Sequence, residues 1–203
     1  IPGTLLIILG IFSSLFFLRS IKDSELSLTI PLLSFTPLFS SIFSFLFLDE
    51  ELNETQYFGI LMIIFGTLIL YSKRLNFLFF FKSFHIIKNN QGARLMILVA
   101  FCWSLTPILD KICLKYSSIN FHGLIQALFI FIILSFFSIK ELIDFKNQKI
   151  KYSIILITIV IGTIATVLQF FAILFNFVAV MESIKRATGQ FSAVLFGRIF
   201  FKE

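Results

Sequence analysis

Long apolar runs broken by short polar links recur along the whole of this chain. A hydrocarbon core about 30 Å thick needs about 20 apolar residues at about 1.5 Å rise each. Seven stretches fit that template: 3–18, 26–48, 55–72, 94–115, 121–139, 152–175 and 178–201. All seven are predicted to be helices, because backbone polar groups inside lipid must find partners within their own segment. The links differ in kind. "RSIKDSE" and "DEELNET" are short and polar, whereas "SKRLNFLFFFKSFHIIKNNQGAR" and "KELIDFKNQKIK" are longer and basic. Residues 73–93, within the first basic link, are the only stretch that reads as a domain linker.

Composition turns this pattern into a class. Hydrophobic residues make up 58% of the 203 residues and charged residues 14%, with a mean hydropathy of +1.00; soluble domains carry about 25% charged residues. The chain therefore reads as an all-α membrane protein, a polytopic helical bundle. The formal net charge of +6 would suggest nucleic acid in a soluble chain. Here the Lys and Arg fall mainly between apolar runs, where they anchor helix ends, and no nucleic-acid partner is expected. Cys102 and Cys113 lack the paired spacing of a metal site or disulfide framework and read as packing residues. No metal and no cofactor is expected. The chain opens on "IPGTLLIILG" without a basic n-region, so no signal peptide is expected, and it closes on "FFKE" at the end of an apolar run. Both ends read as cut from a longer protein.

An internal repeat organises the segments. An offset of 153 lays residues 17–50 on 170–203 without a gap, keeping the helix break, the small residues and the terminal acids Glu50 and Glu203 in register. Identities are few. Each unit then contains five helices, and an odd number makes the second unit enter the membrane upside down relative to the first. Inverted repeats are a signature of secondary transporters, with the substrate site near the midplane between the halves. The same offset implies about two helices before Ile1 and one after Glu203.

"PLLSFTPLFSSIFSFLFLDEELNETQYFGILMIIFGTLILYSK" carries Pro37 in a small-residue helix, Glu50 closing it, then Gly59 and Gly66 spaced by seven. This resembles the end of an EamA repeat of the drug/metabolite transporter superfamily. "FCWSLTPILDKICLKYSS", with Trp103 and Lys111, similarly resembles the opening of the second repeat. The resemblance implies ten helices in two inverted five-helix repeats, of which about seven are present. Residues 1–72 would be the last three helices of the first repeat, and 94–203 the first four of the second. Exporters of amino acids and drugs and carriers of nucleotide sugars and sugar phosphates all occur in the superfamily, so the resemblance implies no single substrate.

Charged and polar residues inside the spans point to a site. Trp103, Thr106, Pro107, Asp110 and Lys111 share one helix face; this stripe is either a cavity wall or, for Asp110, Lys111 and Lys115, the aqueous helix end from which side chains snorkel. In the last span Glu182, Arg186, Gln190, Ala193 and Gly197 share a face, with Lys185 beside Arg186. Counted from Val178, Arg186 is about 12 Å deep, and intramembrane Lys and Arg by default face a cavity or a partner. Lys would supply a point charge and Arg a planar fork for carboxylate or phosphate. The competing readings are a helix start near Ser183, which would leave all three charges at the interface, and a packing ion pair between Glu182 and Arg186. The Lys-Arg pair also resembles plastid sugar-phosphate translocators of the same superfamily, and by that resemblance Lys185, Arg186 and Lys111 would line one site.

Other positions are assigned more simply. Gly162, Thr166, Gln169 and Asn176 form a stripe on the sixth span, suited to cavity lining, with Gln169 placed in the substrate site, or to interhelical hydrogen bonding. Ser34, Pro37, Ser41 and Ser44 read as close-packing positions, and Gly59 and Gly66 as a packing seam that the family pattern places between the last helices of its two repeats. Glu50 and Glu203 are expected to cap their helices, and His85 and His122 read as interfacial.

A secondary transporter of a small metabolite, in particular an organic anion, that alternates access around a basic midplane site accounts for these features and needs no catalytic residue. The chain has no G-x-x-x-x-G-K-[ST], so it does not hydrolyse ATP by a P-loop. The rival is a membrane-embedded enzyme acting on lipid or phosphate substrates, but neither D-x-x-D nor H-E-x-x-H is present and "DEEL" at 49–52 sits in a tight link. The expected partners are a small-molecule substrate, the bilayer and a second copy of the chain, and the expected location is the plasma or inner membrane. Basic links carrying Arg19, Lys22, Lys73, Arg74, Lys82, Lys88, Lys140, Lys146, Lys149 and Lys151 would lie in the cytoplasm by charge bias, and outside by the ten-helix resemblance.

Overall fold

The structure is a computed structural model that describes residues 2–24, 29–71, 90–137, 152–196 and 199. The basic links with Lys73, Arg74, Lys82, His85, Lys88, Lys140, Lys146, Lys149 and Lys151 lie outside the described residues, as do Gly197 and Glu203. Seven α-helices occur among the described residues: α1 (Pro2–Asp23), α2 (Thr36–Leu48), α3 (Glu54–Tyr71), α4 (Gln91–Leu114), α5 (Ile119–Phe137), α6 (Tyr152–Phe175) and α7 (Val178–Phe196). A 3-10 turn, Ile30–Phe35, leads into α2. Four spans, Pro2–Lys22, Ile30–Leu48, Gln91–Leu114 and Tyr152–Phe175, are long and apolar enough to cross a membrane. The protein is an all-α, multi-pass integral membrane protein.

Local signals in the sequence account for where these helices start and stop. Asn90 caps α4, its side chain accepting from the Ala93 N–H at 3.0 Å. At α3 the backbone N–H of Asn53 donates to Gln56 Oε1 at 2.8 Å, the reciprocal arm of a capping box. Between α2 and α3 the chain reverses through Asp49 at φ 54°, a left-handed conformation that Asp adopts more readily than most residues. That reversal turns Glu50 inward, where it is only 6% exposed. Pro107 lacks the N–H that would bond the Trp103 carbonyl one turn earlier. The hydroxyl of Thr106 takes over, donating to that carbonyl at 3.2 Å.

α4 is the centre of the packing. Ala93, Met96, Val99 and Ala100 bury against Leu32 and Leu33, with Phe16 and Phe17 of α1 around them. Further along, Ile108 and Leu114 meet Phe170, Ile173, Val178 and Met181. α1 and α4 run antiparallel in close contact: Ser20 donates to the Gly92 carbonyl at 2.7 Å, and the Trp103 indole N–H donates to Ser13 Oγ at 3.1 Å. Ser24 and Asn90 bond at the same end. Arg19 and Lys22 therefore lie at one end of the bundle, beside the start of α4. The α2–α3, α4–α5 and α6–α7 connections lie at the other. α6 is the most open helix, exposing Ile157, Ile161, Ile164 and Leu168, side chains suited to lipid or to further apolar helices.

Gly92 is where two backbones come too close for a side chain. A Cβ there would stand 2.9 Å from the Ser20 carbonyl oxygen. Gly92→Ala should therefore lower stability by about 1–3 kcal/mol despite alanine's better helix propensity. Gly162→Ala, where the added carbon meets open space, serves as the control and should not. The comparison is read from thermal unfolding of the purified protein in detergent; equal midpoints for the two variants would refute it.

Candidate functional site

Glu182 and Arg186 of α7 are held inside the bundle, and Lys185 beside them is 41% exposed at the side chain. Glu182 is 1% exposed, and its Oε1 accepts from Lys185 Nζ at 3.0 Å while its Oε2 lies 3.4 Å from Arg186 Nη2. Lys185 Nζ also donates to Gln169 Oε1 of α6 at 3.0 Å. The Arg186 guanidinium lies over the Trp103 ring of α4, 5.3 Å from its centroid, a cation–π arrangement that tolerates a desolvated charge. Trp103 is fixed in turn by its bond to Ser13 and by Phe17, at 5.2 Å between centroids. α7 begins at Val178, so Glu182 and Arg186 are about 6 and 12 Å from that end of the helix.

Two cations and one carboxylate leave this cluster one positive charge in excess. Among the described residues Glu182 is the carboxylate that pairs with Lys185 and Arg186, and Arg186 Nε is buried with no hydrogen bond there, as is Glu182 Oε2. A buried donor without an acceptor costs free energy unless something supplies one. The geometry suits a carboxylate or phosphate oxygen placed between Lys185 and Arg186.

Lys111 is held elsewhere, at the end of the bundle where α6 passes into α7. Its Nζ donates to Glu50 Oε1 at 2.6 Å and to the Asn176 carbonyl at 2.7 Å. Glu50 Oε2 accepts from the backbone N–H of Val178 at 2.8 Å. Glu50 was expected to close its own helix; it caps the first N–H of α7 instead, at the positive end of that helix dipole. Of the other expected substrate residues, Thr106 is half-buried and bonded within α4, and Gln190 is half-buried one turn beyond Arg186 on α7. The structure thus joins Trp103, Gln169, Lys185 and Arg186 in one cluster and places Lys111 in a second, with Glu50. Pro37 is buried at the start of α2. No described atom lies within 4 Å of where a Cβ would stand on Gly59 or Gly66.

Residues 2–72 match the model of the EamA-like transporter family. Over that stretch the chain is similar to that family. No curated protein and no solved structure matches the chain significantly. The EamA-like stretch comprises α1, α2 and α3, and it contributes Ser13 and Glu50 to the two clusters. The family is one of membrane transporters of the drug/metabolite type. The basic pair itself lies beyond the EamA-like stretch, on α7.

His122 is the residue whose place the sequence reading missed. It is buried rather than interfacial, 9% exposed, with Nε2 2.9 Å from Asp110 Oδ1 and its ring 5.3 Å from that of Phe170. The available signal was weak: a polar residue one turn before "KYSS" and another one turn after it meet across the α4–α5 hairpin.

Proposed function

We propose that this protein is a secondary transporter of a small organic anion, which it binds at Lys185 and Arg186 beside Trp103 and Gln169. The observation that carries the reading is the buried Arg186 N–H open to an acceptor, beside Lys185 and the one carboxylate the two cations share. Arg provides a planar fork and Lys a point charge, the pair of donors that carboxylates and phosphates accept. Lys111 contributes from the neighbouring cluster by holding the start of α7. Residues 1–72 and 94–203 are proposed as parts of two inverted repeats. The shift of 153 supports this: it carries Pro2–Asp23 onto 155–176, close to Tyr152–Phe175. Alternating access by rocking one repeat against the other follows from that arrangement. Gly59 and Gly66, open among the described residues, are proposed as a seam for a further helix, and the location as the plasma or inner membrane.

The test is ligand-dependent thermal stabilisation of the purified full-length protein with carboxylates, sugar phosphates, amino acids and organic cations. A bound anion at about 100 times its Kd adds about 2.7 kcal/mol to the folded state, so anions should raise the melting temperature in wild type and fail to do so in the double variant Lys185→Gln, Arg186→Gln. Stabilisation by cations alone would overturn the proposal.

A further inference from the structure

We propose that Asp110 and His122 form a proton-binding site that is coupled to the anion site through Lys185. The inference rests on the transporter reading for its consequence, but the site itself is defined by geometry. The carboxylate is 4% exposed at the side chain and the imidazole 9%, and they are joined at 2.9 Å. Asp110 lies about one turn before the end of α4 and His122 about one turn into α5, between the Glu50–Lys111 cluster at the end of the bundle and the Arg186–Trp103 layer deeper in. His122 also lines a cavity of about 450 Å³ between α1 and α5, together with Thr4, Leu6 and Gln126.

The chemistry of the pair defines the step. An ionised carboxylate only accepts, so His122 Nε2 carries the hydrogen shared with Asp110. A proton arriving from water therefore binds Nδ1, giving an imidazolium beside a carboxylate. The pair changes from a net charge of −1 to zero. Helix α6 links the pair to Lys185: the His122 ring packs on Phe170 at 5.3 Å between centroids, and the preceding residue, Gln169, accepts at 3.0 Å from Lys185 Nζ, whose other partner is Glu182. While Asp110 is uncompensated it draws on the charge of Lys185, and once His122 is protonated that charge is available to a substrate anion. Proton and anion binding thus favour each other, and the coupling is reciprocal.

Few other groups compete for this role. On α4, Cys113 follows Asp110 by three residues, and Lys111 is already paired to Glu50. α5 carries no other titratable residue among its described positions, and α2 none at all. On α6, Tyr152 is the only one and lies at the far end. On α7, Glu182 is paired with both Lys185 and Arg186. Arg19, Lys22 and Asp23 of α1 lie at the opposite end of the bundle, by Gly92. Imidazole is the side chain whose ordinary range spans neutral pH.

The test has two arms on the full-length protein. In ¹⁵N-histidine NMR of the detergent-solubilised protein, the signal lost in His122→Gln should change with pH as Nδ1 takes up a proton, and that change should differ in Asp110→Asn. A His122 signal that does not change with pH overturns the proposal whether or not any transport is found. In proteoliposomes, uptake of the stabilising anion should be at least about fivefold greater at acid than at alkaline pH. His122→Gln and Asp110→Asn should each flatten that dependence. Transport that keeps its pH dependence in both variants refutes the coupling and leaves the transporter reading standing. Absence of transport of every anion at every pH counts against the transporter reading, and the NMR arm then still decides whether the pair takes up a proton.

Discussion

Arg186→Gln should abolish uptake of the organic anion into proteoliposomes while the protein still folds and inserts. The fold survives because Glu182 keeps Lys185 as a partner at 3.0 Å, so no carboxylate is orphaned. What disappears is the excess positive charge, the open Nε donor and the guanidinium stacked on Trp103. Loss of one partner from a desolvated charge contact costs about 2–5 kcal/mol, equivalent to about 30-fold or more in affinity. Arg186→Lys separates charge from shape: it restores the charge but neither the planar fork nor the stacking, and should recover only part of the uptake. Undiminished uptake by Arg186→Gln would remove the basis for placing the substrate on α7.

Glu50→Ala should be strongly destabilising. One carboxylate serves three elements: it follows α2, holds Lys111 of α4 at 2.6 Å and caps Val178 of α7 at 2.8 Å. Removing one partner of a buried ion pair costs about 3–5 kcal/mol. The lower end, about 3 kcal/mol, is expected here, because Lys111 keeps the Asn176 carbonyl and is 17% exposed at the side chain. Glu50→Gln, which retains an acceptor for Val178, should lose less. The discriminating measurement is a double-mutant cycle with Lys111→Met, followed by thermal unfolding: the double variant should be more stable than Glu50→Ala alone, because no unpaired cation is left. Additive losses would show that Glu50 acts through the Val178 cap only.

The sequence itself determined the membrane class, the seven segments and several of their ends. Apolar length is a property of each segment alone, and the capping signals of "NETQ" and of Asn90 act within one turn. It also placed three charges within the apolar segment that forms α7. What only the tertiary structure decided is which charges meet. Trp103 and Arg186, Asp110 and His122, and Glu50 and Val178 come from different helices, and the last pair is 128 residues apart. Helices that are apolar nearly all round give no hydrophobic stripe to show which face turns inward. In lipid, rotation and tilt are set by packing and by a few polar contacts. The close fit at Gly92 and the reversal at Asp49 set those rotations here, and through them placed Lys111 with Glu50 and left Lys185 and Arg186 facing Gln169 and Trp103.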